Sequence, residues 1–184
     1  MPAPARSRAV FLDRDGVLNE LVIRDGVAVS PRRVEDFRIY DGALPVVQRL
    51  RDLGMRIFVA SNQPDIARGF LAASELQRMT EILTRALPID EVVICPHDDA
   101  DDCACRKPRP GMLLAMADRW NVGLSQSFVI GDSWKDIEAG KRAGCRTVLL
   151  RRAASAAIRA DHVVADLSGA VAAVESILRE RSDG

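Results

Sequence analysis

The chain of 184 residues is poor in aromatic side chains, in histidine and in net charge. Aromatic residues make up 4% of it, and its 26 basic side chains are balanced by 26 acidic ones. A surface without excess positive charge argues against nucleic-acid binding through bulk electrostatics. No apolar segment approaches the roughly 20 residues that a membrane-spanning helix needs, so we expect no membrane partner.

The first residues, Met1–Arg8, also lack the apolar stretch of a secretory signal peptide. We therefore expect a cytoplasmic protein, in which cysteines are more often metal ligands or core residues than disulfides. With 48% hydrophobic residues, the chain is long enough to form one substantial core. We expect a single domain over residues 1–184 that acts as a monomer.

Apolar segments rich in β-branched residues alternate with helical patterns along the chain. The predicted strands are Ala9–Leu12, Arg56–Ala60, Glu91–Cys95, Ser127–Ile130, Arg146–Leu150 and a weaker His162–Val164. Ser74 with Gln77 predicts a capping box at the start of one helix. Strands alternating with helices indicate an α/β three-layer sandwich with a mostly parallel sheet. In such folds the ligand site lies beyond the carboxyl ends of the strands.

The connection between the first strand and the first helix, from Asn19 to Asp41, is much longer than usual. Within it, Asp25-Gly26 stands between two apolar segments, which is a hairpin signal. We predict a small β-hairpin flap that overhangs the site, and a surface hairpin without a role is the alternative. No insertion is large enough for a separate cap domain.

Two carboxylates, Asp13 and Asp15, stand one residue apart at the end of the first predicted strand. Asp15-Gly16 favours a turn, which places Asp13 at the strand tip and lets Asp15 curl over it. Such a pair suits a hard cation such as Mg2+ and can divide the roles of nucleophile and proton donor. Taken alone, the pair is more simply a polar turn at a strand end.

Three further strand ends carry polar side chains, and the carboxyl ends of parallel strands meet at one edge of the sheet. The segments are Ser61-Asn62-Gln63 after the second strand, Arg106-Lys107-Pro108 after the third, and Gly131-Asp132 with Asp136 after the fourth. Hydroxyl and amide groups can donate to phosphate oxygens, and the two cations can neutralise their charge. Four such strand ends in one chain indicate a phosphate site.

These four segments, in this order, resemble the motifs of the haloacid dehalogenase-like superfamily over roughly Arg8 to Leu150. The resemblance implies a Rossmann-like fold and a Mg2+-dependent phosphatase. It implies that Asp13 attacks phosphorus and forms an aspartyl phosphate. Asp15 would protonate the leaving oxygen and then deprotonate the hydrolytic water.

The same resemblance assigns the ligands of the metal and of the phosphoryl group. Asp13, the backbone carbonyl of Asp15, and Asp132 would hold Mg2+. The residues that would bind the substrate are Ser61, Asn62, Arg106 and Lys107. For Lys107, a solvated loop lysine is the alternative.

Three thiols and an imidazole lie within eleven residues, at Cys95, His97, Cys103 and Cys105. This spacing is typical of a closed structural zinc site of the Cys3His type. Zinc would fold an acidic loop that is poor in apolar residues and would fix Arg106 over the site. A disulfide or unrelated thiols are the alternatives.

The Cys-Pro-His…Cys-x-Cys-Arg-Lys-Pro segment resembles the branch that holds D-glycero-D-manno-heptose 1,7-bisphosphate phosphatases and histidinol-phosphate phosphatases. Asn62-Gln63…Ile66–Gly69 and Pro110–Leu113 look more like the heptose enzymes. The resemblance implies a small phosphorylated sugar as substrate, the heptose bisphosphate losing its 7-phosphate. Histidinol phosphate is the alternative substrate, and a zinc-stabilised binding protein without catalysis is the alternative class.

Two positions depart from the heptose pattern. Pro64 follows Asn62-Gln63, and Ser133-Trp134 follows Asp132, where heptose enzymes usually carry a Lys. Lys135 could compensate for the missing Lys, although we expect its side chain to point elsewhere on its helix. Arg106, with Arg14 or Arg68, could bind a distal phosphate, and for the latter two a plain surface arginine is the alternative.

Overall fold

The computed structural model describes residues 6–151 and 157–182. It contains eight strands and five helices in these ranges. The strands are β1 (Arg8–Leu12), β2 (Val22–Arg24), β3 (Val27–Val29), β4 (Met55–Asn62), β5 (Glu91–Cys95), β6 (Phe128–Gly131), β7 (Arg146–Leu150) and β8 (His162–Val164). The helices are α1 (Ala43–Asp52), α2 (Ala73–Ala86), α3 (Gly111–Arg119), α4 (Trp134–Ala143) and α5 (Leu167–Ser182). The predicted domain also includes residues 1–5, 152–156 and 183–184, which lie outside the described residues.

Six of the strands form one parallel sheet in the order β5-β4-β1-β6-β7-β8. Successive side chains of a strand point to opposite faces, and both faces are apolar here. Val10 and Leu12 pack with α1, α2 and α5 on one face. Phe11 packs with α3 and the end of α4 on the other. The predicted three-layer α/β sandwich with a Rossmann-like sheet is confirmed.

The strand order reverses at β1, which determines where the site lies. From β1 the chain first adds β4 and β5 on one side and later adds β6, β7 and β8 on the other. Leu12, the last residue of β1, pairs with Val59 of β4 and with Ile130 of β6. The segments that follow these three strands therefore emerge beside one another, at a topological switch point.

The hairpin prediction is confirmed, while one predicted helix start is wrong. β2 and β3 pair antiparallel around Asp25-Gly26 and stand apart from the large sheet. α2 begins one residue before Ser74, and its N-cap is Ala72, which makes no side-chain cap. No described segment forms a separate cap domain, and none of the described helices combines the length and apolar character needed to cross a membrane.

Gly140 allows α4 to pack closely on the sheet. A Cβ atom at this position would lie 2.9 Å from Val129 of β6 and 2.9 Å from Thr147 of β7. Both neighbours are β-branched and stiff, so they cannot turn away as a flexible side chain would.

We predict that Gly140→Ala lowers the free energy of unfolding, measured by urea denaturation. Overpacking costs about 1–3 kcal/mol, which exceeds the gain of about 1 kcal/mol in helix propensity. Gly42→Ala is the matched control, since its Cβ would meet nothing within 4 Å. A Gly140→Ala variant as stable as the control would contradict this description of the helix–sheet contact.

Candidate active site

A cavity of about 380 Å³ opens at the switch point, where the strand ends meet. Most of the residues assigned to the site from the sequence line it. These are Asp13, Asp15, Asn62, Arg106, Lys107 and Asp132. Leu21, Ala28 and Val29 also line it, so the hairpin β2–β3 covers one side of the cavity as predicted.

Lys107 is the buried cation at the floor of this cavity. Its Nζ atom donates to Asp13 Oδ1 at 2.8 Å, to Asp136 Oδ1 at 2.5 Å and to the Ala60 carbonyl at 2.7 Å. Its side chain is 4% exposed, so it is not the solvated loop lysine of the alternative interpretation. Because an ammonium group has three N–H donors, a phosphate bound to Lys107 must replace one of these partners.

The charges at the floor shift the pKa of both Asp13 and Lys107. Burial and the nearby Asp136 carboxylate raise the pKa of Asp13 to about 7, although Lys107 opposes the shift. Burial alone would lower the pKa of Lys107, but the two carboxylates outweigh it and raise this pKa. The floor thus carries more carboxylate than its single ammonium group can neutralise.

Three carboxylates are close enough to share a metal ion. Oxygens of Asp13, Asp132 and Asp136 lie within 4.8 Å of one another. Gly16 makes room for Asp132, because a Cβ at position 16 would lie 2.2 Å from Asp132 Oδ2. Carboxylate oxygens are the ligands that Mg2+ prefers, and a dication would favour the ionised form of Asp13. The donor set therefore fits a magnesium ion.

Asp15 is enclosed by three donors. Arg14 donates to both of its carboxylate oxygens at 2.9–3.1 Å, Asn19 donates to Oδ1 at 2.9 Å, and Gln63 donates to Oδ2 at 2.6 Å. Arg14 is 0% exposed. It is therefore neither a surface arginine nor a ligand for a distal phosphate, as the sequence analysis had considered, and its buried guanidinium fixes the orientation of Asp15.

Ser61 and Asn62 occupy different positions relative to the cavity. Asn62 faces it and also exchanges two hydrogen bonds of 3.0 Å with the backbone of Lys107, joining the β4 tip to the loop after β5. Ser61 is buried beside the lining and accepts a 2.8 Å hydrogen bond from Gln63. Asn62 thus fixes the loop that carries Lys107.

Four cations surround the mouth of the cavity, and each contacts a carboxylate. Arg32 pairs with Asp65 at 2.6 Å, and Arg68 pairs with Asp98 at 2.6 Å. The other two contact Asp99, Arg106 at 2.7 Å and Lys135 at 3.7 Å. Lys135 lines the cavity, so the expectation that it points elsewhere is wrong: the first turn of α4 faces the site.

The four predicted zinc ligands converge on one point. Their sulfur and Nδ1 atoms are separated by 3.2–3.6 Å in the contacts they make, and none of the four cysteines forms a disulfide. A tetrahedral site with Zn–S bonds of about 2.3 Å separates its ligands by roughly 3.7 Å. Cys145 is buried elsewhere in the core. The cluster fits a structural zinc ion.

The loop around this cluster is connected to the cavity. Without a metal ion, burial and the neighbouring thiols raise the pKa of Cys95 to about 12. A bound zinc ion would reverse this shift, because a coordinated thiol is deprotonated. The Arg106 guanidinium donates to the His97 carbonyl at 3.1 Å. Arg106 is therefore tied to the cluster twice, by this hydrogen bond and by its position next to Cys105 in the chain.

The sequence analysis named Gln63 only as part of a polar strand end, and it revealed neither the contact of Gln63 with Asp15 nor that of Asn19 nor the anchoring role of Asp136. Asp136 also caps α4 with Ser133, each side chain accepting from the other's backbone N–H. The Ser-x-x-Asp spacing is the sequence signal of such a capping box, and it could have located the start of α4 at Ser133. For Arg14 and Asn19 there was none, because a polar residue beside a turn is expected at the surface.

Comparison with known proteins agrees with this geometry. The model of the haloacid dehalogenase-like hydrolase family matches residues 19–144. That range is more than half of the chain, and it contains the segments that carry Ser61, Lys107 and Asp132. The chain belongs to the haloacid dehalogenase-like hydrolase family.

Several curated relatives carry one name. The D-glycero-beta-D-manno-heptose-1,7-bisphosphate 7-phosphatase of Pasteurella multocida is 34% identical over 154 residues, covering 78% of this chain and 80% of the relative. The protein of the same name from Rhodopseudomonas palustris is 38% identical, covering 77% and 82%. The crystal structure of D,D-heptose 1,7-bisphosphate phosphatase from B. bronchiseptica, complexed with magnesium and phosphate, is similar with a TM-score of 0.78. It is 30% identical, and the match covers 94% of this chain and 99% of that one.

We predict that Gly16→Ala abolishes phosphatase activity, because the new Cβ would displace the Asp132 carboxylate. Gly144→Ala is the matched control, since Gly144 has φ +82 against +80 at Gly16 but meets nothing within 4 Å. Both variants should lose about 1–2 kcal/mol of stability to the left-handed backbone. Equal activity in the two folded variants, measured by phosphate release, would contradict the role of the Gly16–Asp132 contact.

Proposed function

We propose that this chain is a Mg2+-dependent phosphomonoesterase that removes the 7-phosphate from D-glycero-D-manno-heptose 1,7-bisphosphate. The observation that carries the proposal is the arrangement of Asp13, Asp15 and Lys107 at the floor of a cavity with a cationic mouth. The names of the relatives support the choice of sugar. Relatives named for the beta and for the alpha anomer are both similar to this chain, so the proposal covers either anomer.

In the first step, Asp13 attacks phosphorus through a carboxylate oxygen. The bond between phosphorus and the ester oxygen breaks, and Asp15 donates its proton to that leaving oxygen. The sugar departs as an alcohol, and the phosphoryl group remains on Asp13 as a mixed anhydride. General acid catalysis of this kind contributes about 10²–10⁴-fold to a rate.

In the second step, Asp15 acts as a base. It takes a proton from a water molecule whose oxygen attacks phosphorus, and the bond to Asp13 breaks. Inorganic phosphate forms, Asp13 regains its carboxylate, and Asp15 regains its proton for the next cycle. Lys107 aligns the Asp13 carboxylate for the attack, because the Asp136 carboxylate and the Ala60 carbonyl hold its ammonium group in place.

Asp13, the backbone carbonyl of Asp15, and Asp132 would hold Mg2+, and Asp136 lies close enough to support them. The chemistry that the ion supplies there is neutralisation of the charge between an anionic nucleophile and an anionic phosphate. Ser61 and Asn62 would donate to the oxygens of the phosphoryl group. Cys95, His97, Cys103 and Cys105 would hold a zinc ion whose role is structural.

The cations at the mouth support a substrate with two phosphates. Arg106 and Arg32 line the cavity together with Lys135, and arginine suits bidentate binding of phosphate. Their acidic partners, Asp99 and Asp65, are the groups that a distal phosphate would replace. A substrate with one phosphate would leave these ion pairs as they are.

The proposed enzyme acts as a monomer in the cytoplasm, on a small phosphorylated sugar and without a nucleic-acid or membrane partner. Four cysteines without disulfides support a reducing compartment. The equal numbers of basic and acidic residues support the absence of a nucleic-acid partner.

We predict selective phosphate release from the heptose 1,7-bisphosphate in the presence of Mg2+. Asp13→Asn should lower the rate by about 10⁴-fold or more, because it removes the nucleophile. Asp25→Asn is the matched control, since Asp25 lies in the exposed hairpin turn with a positive φ that asparagine also adopts. The assay compares both anomers, heptose 7-phosphate and histidinol phosphate.

The heptose 7-phosphate should be the poorer substrate, because it lacks the group that the mouth would bind. Preference for histidinol phosphate would contradict the proposed substrate and leave the chemistry standing. Release that survives Asp13→Asn would contradict the proposed nucleophile.

We predict that a zinc chelator lowers the melting temperature and slows turnover together, because the loop that carries Arg106 and Lys107 loses its anchor. Cys105→Ser should abolish zinc binding, measured by atomic emission on purified protein. Cys145→Ala should retain the ion, since Cys145 lies outside the cluster. A Cys105→Ser protein with undiminished zinc would exclude the proposed site.

A further inference from the structure

Gln63 joins two parts of the site that have different tasks. It follows Asn62 at the tip of β4, it is 1% exposed, and its backbone N–H donates to the Cys95 carbonyl at 2.7 Å. Its side-chain Nε2 donates at 2.6 Å to Asp15 Oδ2 and at 2.8 Å to Ser61 Oγ. Both N–H groups of the amide are thereby engaged, one with each partner.

We propose that Gln63 is a positioning residue that aligns Asp15 for proton transfer and that, while Asp15 is a carboxylate, leaves the Ser61 hydrogen free to point toward the phosphoryl group. The proposal rests on the proposed function, because it concerns the step in which Asp15 protonates the leaving oxygen. Since Ser61 Oγ accepts from Gln63, its own hydrogen is free to point elsewhere. A single side chain thus sets the orientation of the acid and of a phosphate ligand.

Gln63 differs from the two other residues that surround Asp15. Arg14 has only hydrogen-bond donors, so it cannot accept a hydrogen bond from a protonated Asp15. Asn19 donates to the Glu20 carbonyl at 2.9 Å through the same nitrogen that contacts Asp15, which fixes the direction of its amide. These two residues suit Asp15 only as a carboxylate, the form it has between the two chemical steps.

The amide of Gln63 can serve both forms of Asp15. In the present orientation Nε2 donates to the carboxylate. After a half rotation, Oε1 would accept from the protonated acid until the leaving oxygen takes its proton, and the Ser61 hydroxyl would donate to Oε1 in that orientation. When Asp15 is a carboxylate and Nε2 faces it again, the Ser61 hydrogen is released. Of the three residues around Asp15, Gln63 is the one that can keep its contact when Asp15 carries the proton it gives to the leaving group.

The test measures how the rate of phosphate-ester cleavage by Gln63→Met depends on the leaving group, with aryl phosphates as probes. Release of 4-nitrophenol in the first turnover needs little protonation and should stay close to wild type. Release of phenol, a poorer leaving group, should fall by about 10²-fold. Hydrolysis of the phosphoenzyme should also slow, because Asp15 is misplaced as a base, so nitrophenol should appear as a burst followed by a slow phase.

Gln48→Met is the matched control. Gln48 is exposed on α1, and its side-chain amide donates a hydrogen bond to Asp52. If Gln63→Met does not fold, Gln63→Asn carries the same expectation, because the shorter side chain withdraws the amide from both partners.

An equal loss for both esters without a burst, or no loss for either, would overturn the proposal. A wild-type protein that releases phosphate neither from the heptose bisphosphate nor from these esters would overturn the proposed function itself. The two failures are therefore distinguishable.

Discussion

The contact of Lys107 with Asp13 and Asp136 is the constraint on which the rest of the site depends. It joins the tip of β1, the loop after β5 and the first turn of α4 at one buried ammonium group. Removing the Lys107 ammonium group would leave both carboxylates without a cation, which costs about 3–5 kcal/mol in comparable sites. Asp13, the proposed nucleophile, and the cation beside it are thus fixed by the same contact that assembles the three segments.

Two further connections keep this centre in place. The backbone of Lys107 is tied to Asn62, and the residue before it, Arg106, is tied to the loop that carries the thiol cluster. The loop that carries the Cys95–His97–Cys103–Cys105 cluster therefore supports the site directly, because Cys105 and Arg106 are adjacent in the chain. With only a short hairpin over the cavity, this loop supplies much of the rim that a larger lid would otherwise provide.

The sequence predicted best those elements that are marked by a pattern of apolar residues or by a fixed motif spacing. β5, β7 and β8 have the predicted bounds, because a short run of apolar, β-branched residues is typical of a strand in a parallel sheet that is covered on both faces. The convergence of Asp13, Lys107 and Asp132 followed from topology, since strand ends meet at one edge. Ser74 failed as an N-cap because Leu71 and Leu76 both pack into the core, and the chain entering α2 places Ala72 at the cap.

The residues that the sequence did not reveal act through contacts that only the folded chain creates. Arg14 is buried because it is enclosed by its neighbour Asp15 and by the ring of Phe37, which is 23 positions further along the chain. Gln63, which follows β4, contacts the same Asp15 carboxylate. Lys135 faces the cavity because the rotation of α4 is set by the buried Ile137 and by Gly140 against the sheet. Neither position has a local pattern from which its partner could be deduced.

The proposed mechanism requires Asp13 to carry the phosphoryl group during turnover. Its most direct test is rapid acid quenching of the enzyme with substrate and Mg2+, followed by mass spectrometry of the peptides. If Asp13 is the nucleophile, a phosphoryl adduct forms on Asp13 and disappears as turnover ends. An adduct on Asp15 or Asp132 instead, or full turnover by a protein in which no peptide containing Asp13 is ever modified, would contradict it.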